Sequence, residues 1–288
     1  MSLRLWEQVA AWKSPKYRFV DLTHELSPET PHWWGFKPLK ETTLYDYPEN
    51  KKDGDTWTEA PMQIKEYTVV GQYGTHVDAP IHFDPKGRTQ EQLRVDEMVY
   101  PLVVIDKSKE VAENPDYELS VEDVLAFEEQ YGRIPEGAFV AFRTDWYKQP
   151  ADDFQKKDAD GNPHTPGWTI PTLEFLVKER NIGAIGHETA DTDAAIRAFQ
   201  PDSHPLPAEQ YILSQDRIQV EVLAHLDELP PVGAVIFVTF PKLKGGTGFA
   251  ARCFALVEND KIRLGSYILI NEKKGAVTKY TPKNKNAV

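Results

Sequence analysis

Four side chains of the types that bind metals or carry protons lie close together in the sequence. They are Gln72, His76, Asp78 and His82, and all four occupy even-numbered positions. Because alternate residues of an extended chain share one face, these side chains are predicted to point the same way. The positions between them are mostly small or apolar and are predicted to face a core. The segment therefore predicts a polar site supported by hydrophobic packing.

The spacing of these residues indicates which of them can share an ion. Ten residues of extended strand span roughly 33 Å, so the two ends of the segment meet only if the backbone bends. Gly74 and Pro80 are residues that permit such bends. His76 and Asp78 need no bend, and an imidazole with a carboxylate suits Zn, Mn or Fe. His82 lies further along and is predicted to act as a general acid and base.

The chain lacks the signatures of several other catalytic classes. It contains no Gly-x-Ser-x-Gly elbow of a serine hydrolase and no Gly-x-Gly-x-x-Gly dinucleotide fingerprint. The glycine-rich residues 244–248 lack the spacing of a phosphate-binding loop. Metal-assisted hydrolysis remains, in which a divalent ion lowers the pKa of a water molecule and polarises a carbonyl group. A nearby histidine then takes up a proton and delivers it to the leaving nitrogen or oxygen.

The string from Gly74 to His82 resembles the signature of the cyclase-like metal hydrolases. This family includes bacterial kynurenine formamidase, isatin hydrolase and one type of dienelactone hydrolase. The signature reads H-x-G-T-H-x-D-x-P-x-H, and the chain matches every fixed position except the first, where Gln72 replaces His. An isolated H-x-D would be weak evidence in a chain with eight histidines, whereas the longer string is specific. The resemblance runs from about Val20 to about Leu256.

The resemblance also implies metal ligands further along the chain. The family binds metal through a His and a Glu that are twelve positions apart. Glu221 matches that Glu, and the family's His position is occupied by Glu209. The implied ligands are therefore His76, Asp78 and Glu221, with Gln72 and Glu209 as further candidates. Fewer imidazoles and more carboxylates move the preference of the site from Zn towards Mn or Mg. The predicted cofactor is a divalent ion, Mn or Zn. The sequence leaves open whether the site holds one ion or two.

Composition restricts the partners of the protein. With 288 residues, the chain is long enough for one large domain or two small ones. A net charge of −12 argues against binding to nucleic acid or to an anionic membrane. The single cysteine, Cys253, excludes an internal disulfide and any multi-cysteine metal site. No signal peptide or membrane span is evident, so we predict a cytoplasmic enzyme that acts on a small molecule.

Hydrophobic periodicity predicts the elements that hold these residues. Strands are predicted near residues 18–22, 66–71, 102–105, 138–144, 184–186, 218–223, 232–240 and 252–257, and helices near residues 3–12, 120–131, 169–181 and 206–215. Ser120 and Asp123 have the spacing of a capping box, and Gly132 marks the end of the same helix. Residues 40–63 are predicted to be a polar excursion that forms a lid or an oligomer contact. Residues 272–288 are predicted to be a basic tail that is mobile or packs on another subunit.

These patterns alone predict only a chain with both α and β structure. The resemblance implies one α/β domain over residues 1–288, with a recognisable core at about 20–256, an N-terminal helix and the basic tail outside it. It further implies a mixed β-sheet curled towards a barrel, with peripheral helices, in a homodimer or a larger homo-oligomer.

Three functions remain open at this point. The favoured one is hydrolysis of a small amide, imide, lactone or N-formyl substrate. The bonds that we expect it to cleave are C–N bonds other than peptide bonds. A protein that binds a metal or ligand without turnover is an alternative because two family ligands are replaced. A cyclase or isomerase that stabilises an enolate is another. Trp33 and Trp34 are predicted either to form the walls of a pocket for a flat ring or to anchor their loop as buried indoles.

Overall fold

The structure, a computed structural model, describes residues 4–198, 204–259, 267–271 and 276–280, and the last two ranges by their backbone. The strands are β1 Tyr17–Asp21, β2 Lys40–Asp46, β3 Thr58–Glu59, β4 Ile64–Thr68, β5 His76–Asp78, β6 Val99–Asp106, β7 Glu118–Leu119, β8 Phe139–Arg143, β9 Gly167–Trp168, β10 Ala184–His187, β11 Ile218–Glu221, β12 Ala234–Thr239, β13 Gly248–Ala250, β14 Arg252–Glu258, β15 Tyr267–Asn271 and β16 Ala276–Tyr280. The helices are α1 Leu5–Trp12, α2 Ser108–Glu113, α3 Val121–Tyr131, α4 Ile170–Arg180, α5 Ala195–Ala198 and α6 Pro207–Ser214. Every predicted helix and strand overlaps one of these elements.

Within the described residues, nine strands form one sheet in the order β1-β14-β12-β6-β8-β10-β11-β5-β13. Strands β6, β8, β10 and β11 are mutually parallel, and the other neighbours are antiparallel. The sheet is therefore mixed, and it curls into a half-barrel. This confirms the predicted fold class, while the assignment of all 288 residues to one domain stays a prediction.

The two faces of the sheet have separate cores because side chains alternate along each strand. In β8, Phe139 and Ala141 belong to one core, whereas Val140 and Phe142 belong to the core beneath the helices. The second core also contains buried residues of α3, α4 and α6, including Val124, Leu173 and Ile212. Both faces of the central strands are thus buried, which explains their almost continuous apolar sequences.

Helix α3 begins and ends at the residues that the sequence indicated. The Ser120 hydroxyl accepts a hydrogen bond from the Asp123 amide at 3.2 Å, and the Asp123 carboxylate accepts one from the Ser120 amide at 2.9 Å. This reciprocal pair is the predicted capping box. The helix ends at Gly132, whose φ of 92° lies in a region that favours glycine. In the described ranges, no helix has both the length and the apolar composition needed to cross a membrane.

The structure corrects the predictions for residues 40–63 and for the end of the strand near residues 66–71. Residues 40–63 are not simply an excursion of turns, because they contain β2 and β3, which form a three-stranded sheet with β4. Strand β4 therefore belongs to this smaller sheet and ends at Thr68, so it does not continue into the segment that begins at Gln72.

Part of the predicted basic tail, β16, pairs with β15 in a hairpin. Residues 272–275 and 281–288 lie outside the described residues.

Candidate metal centre

The segment from Gln72 to His82 bends at both positions that the sequence indicated. Gly74 has a φ of 64°, and a Cβ atom there would lie 2.8 Å from the Thr30 side chain. Strand β5 has only three residues, and after Ala79 a single turn of 3₁₀ helix begins at Pro80 and ends at His82. The prediction that the whole segment forms one extended face was therefore wrong, since the backbone turns on each side of β5.

Pairing between strands brings the distant acidic residues to this segment. Strand β5 lies between β11 and β13 and is antiparallel to both. In this register His76 is opposite Glu221, and Asp78 is opposite Gln219. Directly opposite residues on neighbouring strands have adjacent side chains. The register therefore places two carboxylates and one imidazole at the same point, although His76 and Glu221 are 145 positions apart along the chain.

His76, Asp78 and Glu221 form a compact group of ligand atoms. The Nε2 atom of His76 lies 3.4 Å from Asp78 Oδ2 and 3.4 Å from Glu221 Oε2. All three residues are buried, and their ligand atoms lie within 4.8 Å of one another. The Nδ1 atom of His76 hydrogen-bonds the Gly74 carbonyl at 2.8 Å, as a donor, so Nε2 is left to face the carboxylates.

The donor set fits a divalent cation. Among the described residues, no hydrogen-bond partner reaches the buried Oδ1 atom of Asp78, which is costly for a carboxylate unless a cation satisfies it. Gly248 leaves room for this atom, because a Cβ there would lie 2.5 Å from the Val77 carbonyl and 2.8 Å from Asp78 Oδ1. One imidazole and two carboxylates are a mixed nitrogen and oxygen set that suits Mn or Zn.

The local electrostatics favour a positive charge at this point. Burial lowers the pKa of His76, but the carboxylates of Asp78 and Glu221 outweigh this and raise it well above its usual value. Burial would raise the pKa of Asp78, but His76, His82 and a hydrogen bond from Gln219 lower it to about 2. The acidic group thus attracts a proton to His76 in the absence of metal, and a divalent cation would relieve the same repulsion between carboxylates.

Glu209 and His82 lie beside this group rather than within it. The amides of Ala208 and Glu209, in the first turn of α6, donate hydrogen bonds to the two carboxylate oxygens of Asp193, at 2.9 and 3.1 Å. This contact fixes the start of the helix. The Oε1 atom of Glu209 then lies 3.7 Å from His82 Nε2. Burial, followed by the nearby Glu221 and Asp78 carboxylates, raises the pKa of Glu209 well above its usual value.

Gln72 lies apart from both groups, and its side-chain amide donates a hydrogen bond to Thr247 Oγ1 at 3.0 Å.

The structure also brings in residues that were not predicted for the site. Gln219 and Thr192 are fully buried against the carboxylates, and His187 Nε2 lies 3.4 Å from Glu221 Oε1. One signal in the sequence was available: Gln219 is two residues from Glu221, and so shares its face of a strand.

A cavity of about 200 Å³ opens onto these side chains. Its apolar walls are Trp33, Phe36, Phe83, Ala190 and Leu206, and its polar surface comes from Gln72, His76, His82, Asp191, Glu209 and Glu221. No described residue that lines this cavity is a lysine or an arginine. Trp33 therefore takes the role that was predicted for a pocket wall. Trp34 does not line the cavity, and 58% of its surface is exposed.

Glu188, adjacent to His187, gives a measurable pH dependence of stability. Burial raises its pKa from 4.5 to about 7, and no hydrogen-bond partner among the described residues reaches its Oε1 atom. Because the folded state binds the proton more tightly than the unfolded state, this stabilising contribution is fully present below pH 4.5 and is lost as the pH rises towards 7. At about 1.4 kcal/mol per pH unit, the loss is about 3 kcal/mol.

We therefore expect Glu188→Gln to make the decrease in unfolding free energy between pH 5 and 7.5 smaller by roughly 2 kcal/mol, measured by urea denaturation. Glutamine keeps an oxygen that accepts the bonds from Thr144 and Trp146, which Glu188 Oε2 accepts at 2.8 to 3.1 Å. The exposed Glu49 provides the control, since Glu49→Gln is expected to leave the pH profile unchanged. An unchanged profile in Glu188→Gln would contradict this assignment.

Comparisons with known proteins identify a family and several similar chains. The family model described as Cyclase matches residues 20–194, which is more than half of the chain. Isatin hydrolase of Roseibium aggregatum is 32% identical over 255 residues, covering 85% of this chain and 93% of the relative. The structure of isatin hydrolase A from Ralstonia solanacearum matches with a TM-score of 0.79 and 34% identity, over 90% of this chain and 98% of that one. An isatin hydrolase bound to the product analogue thioisatinate matches with a TM-score of 0.80 and 28% identity, over 90% of this chain and all of that one.

These similarities extend over nearly the whole of each relative, so they concern the entire catalytic unit and not an isolated motif. They confirm the prediction of a hydrolase that requires a metal and acts on C–N bonds other than peptide bonds. The chain belongs to the Cyclase family and is a metal-dependent hydrolase.

Proposed function

We propose that the protein opens the ring of a small, flat, uncharged cyclic amide or imide by adding water across its C–N bond. The observation that carries this proposal is the position of the His76, Asp78 and Glu221 group at one side of a cavity with aromatic walls. The similarity to isatin hydrolase, whose name gives a cyclic substrate, supports the same class of substrate. Trp33, Phe36 and Phe83 provide the flat apolar contacts that such a ring requires.

His76, Asp78 and Glu221 are proposed to hold the divalent ion, through His76 Nε2 and one or more oxygens of each carboxylate. A cation bound by these residues acts as a Lewis acid, which lowers the pKa of water and polarises the substrate carbonyl group. Mn or Zn is the proposed metal. Gln72 and Glu209 stay candidates as ligands, although Gln72 is hydrogen-bonded to Thr247 and Glu209 faces His82.

His82 is proposed to carry the proton that leaves the attacking water and to deliver it to the ring nitrogen as the C–N bond breaks. Its side chain lines the cavity and is 30% exposed, so it can reach a bound substrate. Glu209 Oε1, 3.7 Å from His82 Nε2, is placed to orient the imidazole and to stabilise its protonated form. This pair is separate from the three proposed metal ligands.

The charge of the cavity supports an uncharged substrate. Asp191, Glu209 and Glu221 contribute carboxyl groups, and no described residue of the lining is a lysine or an arginine. The divalent ion would be the one cationic partner of an anionic substrate among the described groups that line the cavity, whereas an uncharged ring needs none. Ring opening with water produces a carboxylate and a free nitrogen group, which is an amine from a cyclic amide and an amide from a cyclic imide. The acidic lining would weaken the binding of this anionic product.

Activity of the purified protein with a substrate panel tests this proposal. The protein is treated with a chelator, reloaded with Mn²⁺, Zn²⁺ or Mg²⁺, and offered isatin, aliphatic cyclic imides, lactones and N-formyl anilines. We expect hydrolysis of isatin, a cyclic amide, and of cyclic imides only after reloading, with one acid group released for each molecule consumed. Faster hydrolysis of lactones or N-formyl anilines would contradict the proposed substrate class. Metal binding without turnover of any compound would contradict the proposed function.

We also propose a homodimer or larger homo-oligomer in the cytoplasm. The buried, unpaired Cys253 supports a reducing compartment, since a free thiol in the core is typical of cytoplasmic proteins. A lid or an oligomer contact formed by residues 40–63 likewise stays a prediction. Sedimentation velocity of the purified protein distinguishes a monomer from an oligomer.

A further inference from the structure

The side chain of Gln219 contacts three acidic residues of the metal centre at once. It lies on β11, fully buried, opposite Asp78 and on the same face as Glu221. Its Nε2 atom donates at 3.0 Å to Glu209 Oε1 and at 3.1 Å to Asp78 Oδ2 and to Glu221 Oε1. An amide nitrogen has only two hydrogens, so three carboxyl oxygens share two donated bonds. Gln219 is thus a common anchor for these acids.

The orientation of this amide is fixed by a second contact. The Oε1 atom of Gln219 accepts a hydrogen bond from the hydroxyl of Thr192 at 2.7 Å. If the amide were rotated by half a turn, its oxygen would face three carboxyl groups, and the Thr192 hydroxyl would have to accept a hydrogen bond instead of donating one. Thr192 is also fully buried, so water does not replace this bond. Thr192 therefore holds the oxygen end of the Gln219 amide, while the nitrogen end faces the acids.

The anchored carboxylates each keep one oxygen that Gln219 does not contact. The free oxygen of Glu221 is Oε2, which faces His76 Nε2 at 3.4 Å. The free oxygen of Asp78 is Oδ1, which has no hydrogen-bond partner among the described residues. Gln219 thus restrains both side chains while leaving them able to bind a cation. The third contact holds Glu209, which lies beside His82.

We propose that Gln219 is a positioning residue, which sets the affinity of the site for a divalent cation by holding Asp78, Glu221 and Glu209 around one amide group oriented by Thr192. The inference rests on the metal site proposed above. Without the amide, the three carboxyl groups would repel one another with no shared donor, and the ligand oxygens would have to be ordered when the cation binds. Partners of this kind typically change metal affinity by roughly 10 to 100-fold.

Direct measurement of Mn²⁺ binding tests the inference. Metal-free wild type and Gln219→Met are titrated with Mn²⁺, and the free ion is quantified by electron paramagnetic resonance. Methionine has a similar length and shape but cannot donate hydrogen bonds, so we expect the dissociation constant to increase roughly 10 to 100-fold. Gln90→Met is the matched control, because Gln90 is also a buried amide and donates to the Pro241 carbonyl at 2.8 Å, away from the site. It is expected to bind Mn²⁺ like the wild type.

A pair of variants at Thr192 separates positioning from a general loss of packing. Thr192→Val removes the hydroxyl that orients the amide and is expected to weaken Mn²⁺ binding, whereas Thr192→Ser keeps the hydroxyl and is expected to restore it. Equal affinity of Gln219→Met and the wild type would overturn the inference and leave the metal site standing. If Gln219→Met does not fold, equal affinities of the two Thr192 variants would overturn it. A wild type that binds no Mn²⁺, Zn²⁺ or Mg²⁺ would instead overturn the metal site itself.

Discussion

Replacing His76 with alanine is expected to remove the metal from the purified protein and to reduce hydrolysis to the level of the metal-free enzyme. His76 is the only nitrogen donor in the group that it forms with Asp78 and Glu221, as far as the described residues go. Its loss leaves two buried carboxylates without the imidazole that lies between them. The decrease in metal affinity should exceed the roughly 100-fold that loss of an outer partner produces. Elemental analysis of protein purified without added metal measures this directly.

His164→Ala is the matched control for this experiment. His164 also pairs with a carboxylate, since its Nδ1 atom lies 2.7 Å from Asp116 Oδ2, but it does not line the cavity. We expect this variant to retain the full metal content and activity. An Asp78→Ala variant should behave like His76→Ala. Retention of one metal ion per chain in His76→Ala would show that the ion binds elsewhere.

Replacing His82 with alanine is expected to separate catalysis from metal binding. The metal content should remain that of the wild type, because the ligand group does not include His82. The value of kcat should fall by roughly 10² to 10⁴-fold, which is the usual contribution of general acid–base catalysis. Steady-state kinetics with isatin, together with elemental analysis of the same preparation, measures both quantities.

A second substitution at this position distinguishes proton transfer from simple contact. His82→Gln keeps a polar side chain near Glu209 but cannot exchange a proton at neutral pH, so it should be as slow as the alanine variant. Glu209→Gln is expected to cause a smaller decrease in kcat if Glu209 only orients His82, and to lower the metal content if it is a ligand. A kcat of His82→Gln equal to that of the wild type would rule out the proposed proton transfer.

The sequence predicted the centre of the site because its signals are local. His76 and Asp78 are two residues apart, so a three-residue strand is enough to align them. Gln219 was not predicted, because its role depends on the register between β5 and β11. Such pairing is set by tertiary structure, and a single sequence carries no record of which strands are neighbours. The same limit applies to Glu209, whose position beside His82 requires the contact between Asp193 and the start of α6.

The fold shows the same division between local and distant information. Capping residues predicted the start and end of α3 because they act within one helical turn. Residues 40–46 were predicted as part of an excursion because their sequence is polar, yet they pair with β4 along most of their length. Most side chains of β2 are exposed, so the strand lacks the alternation of polar and apolar residues that identifies a half-buried strand.

The proposed metal ligands lie on β5 and β11, which are paired strands within the sheet, whereas the apolar walls come from connecting segments. Trp33 and Phe36 belong to the connection between β1 and β2, and Leu206 precedes α6. Substitutions in these connections change the shape of the cavity without altering the register that aligns His76 with Glu221. Substrate preference can therefore diverge between relatives, or be redesigned in the laboratory, while the chemistry of bond cleavage is inherited unchanged.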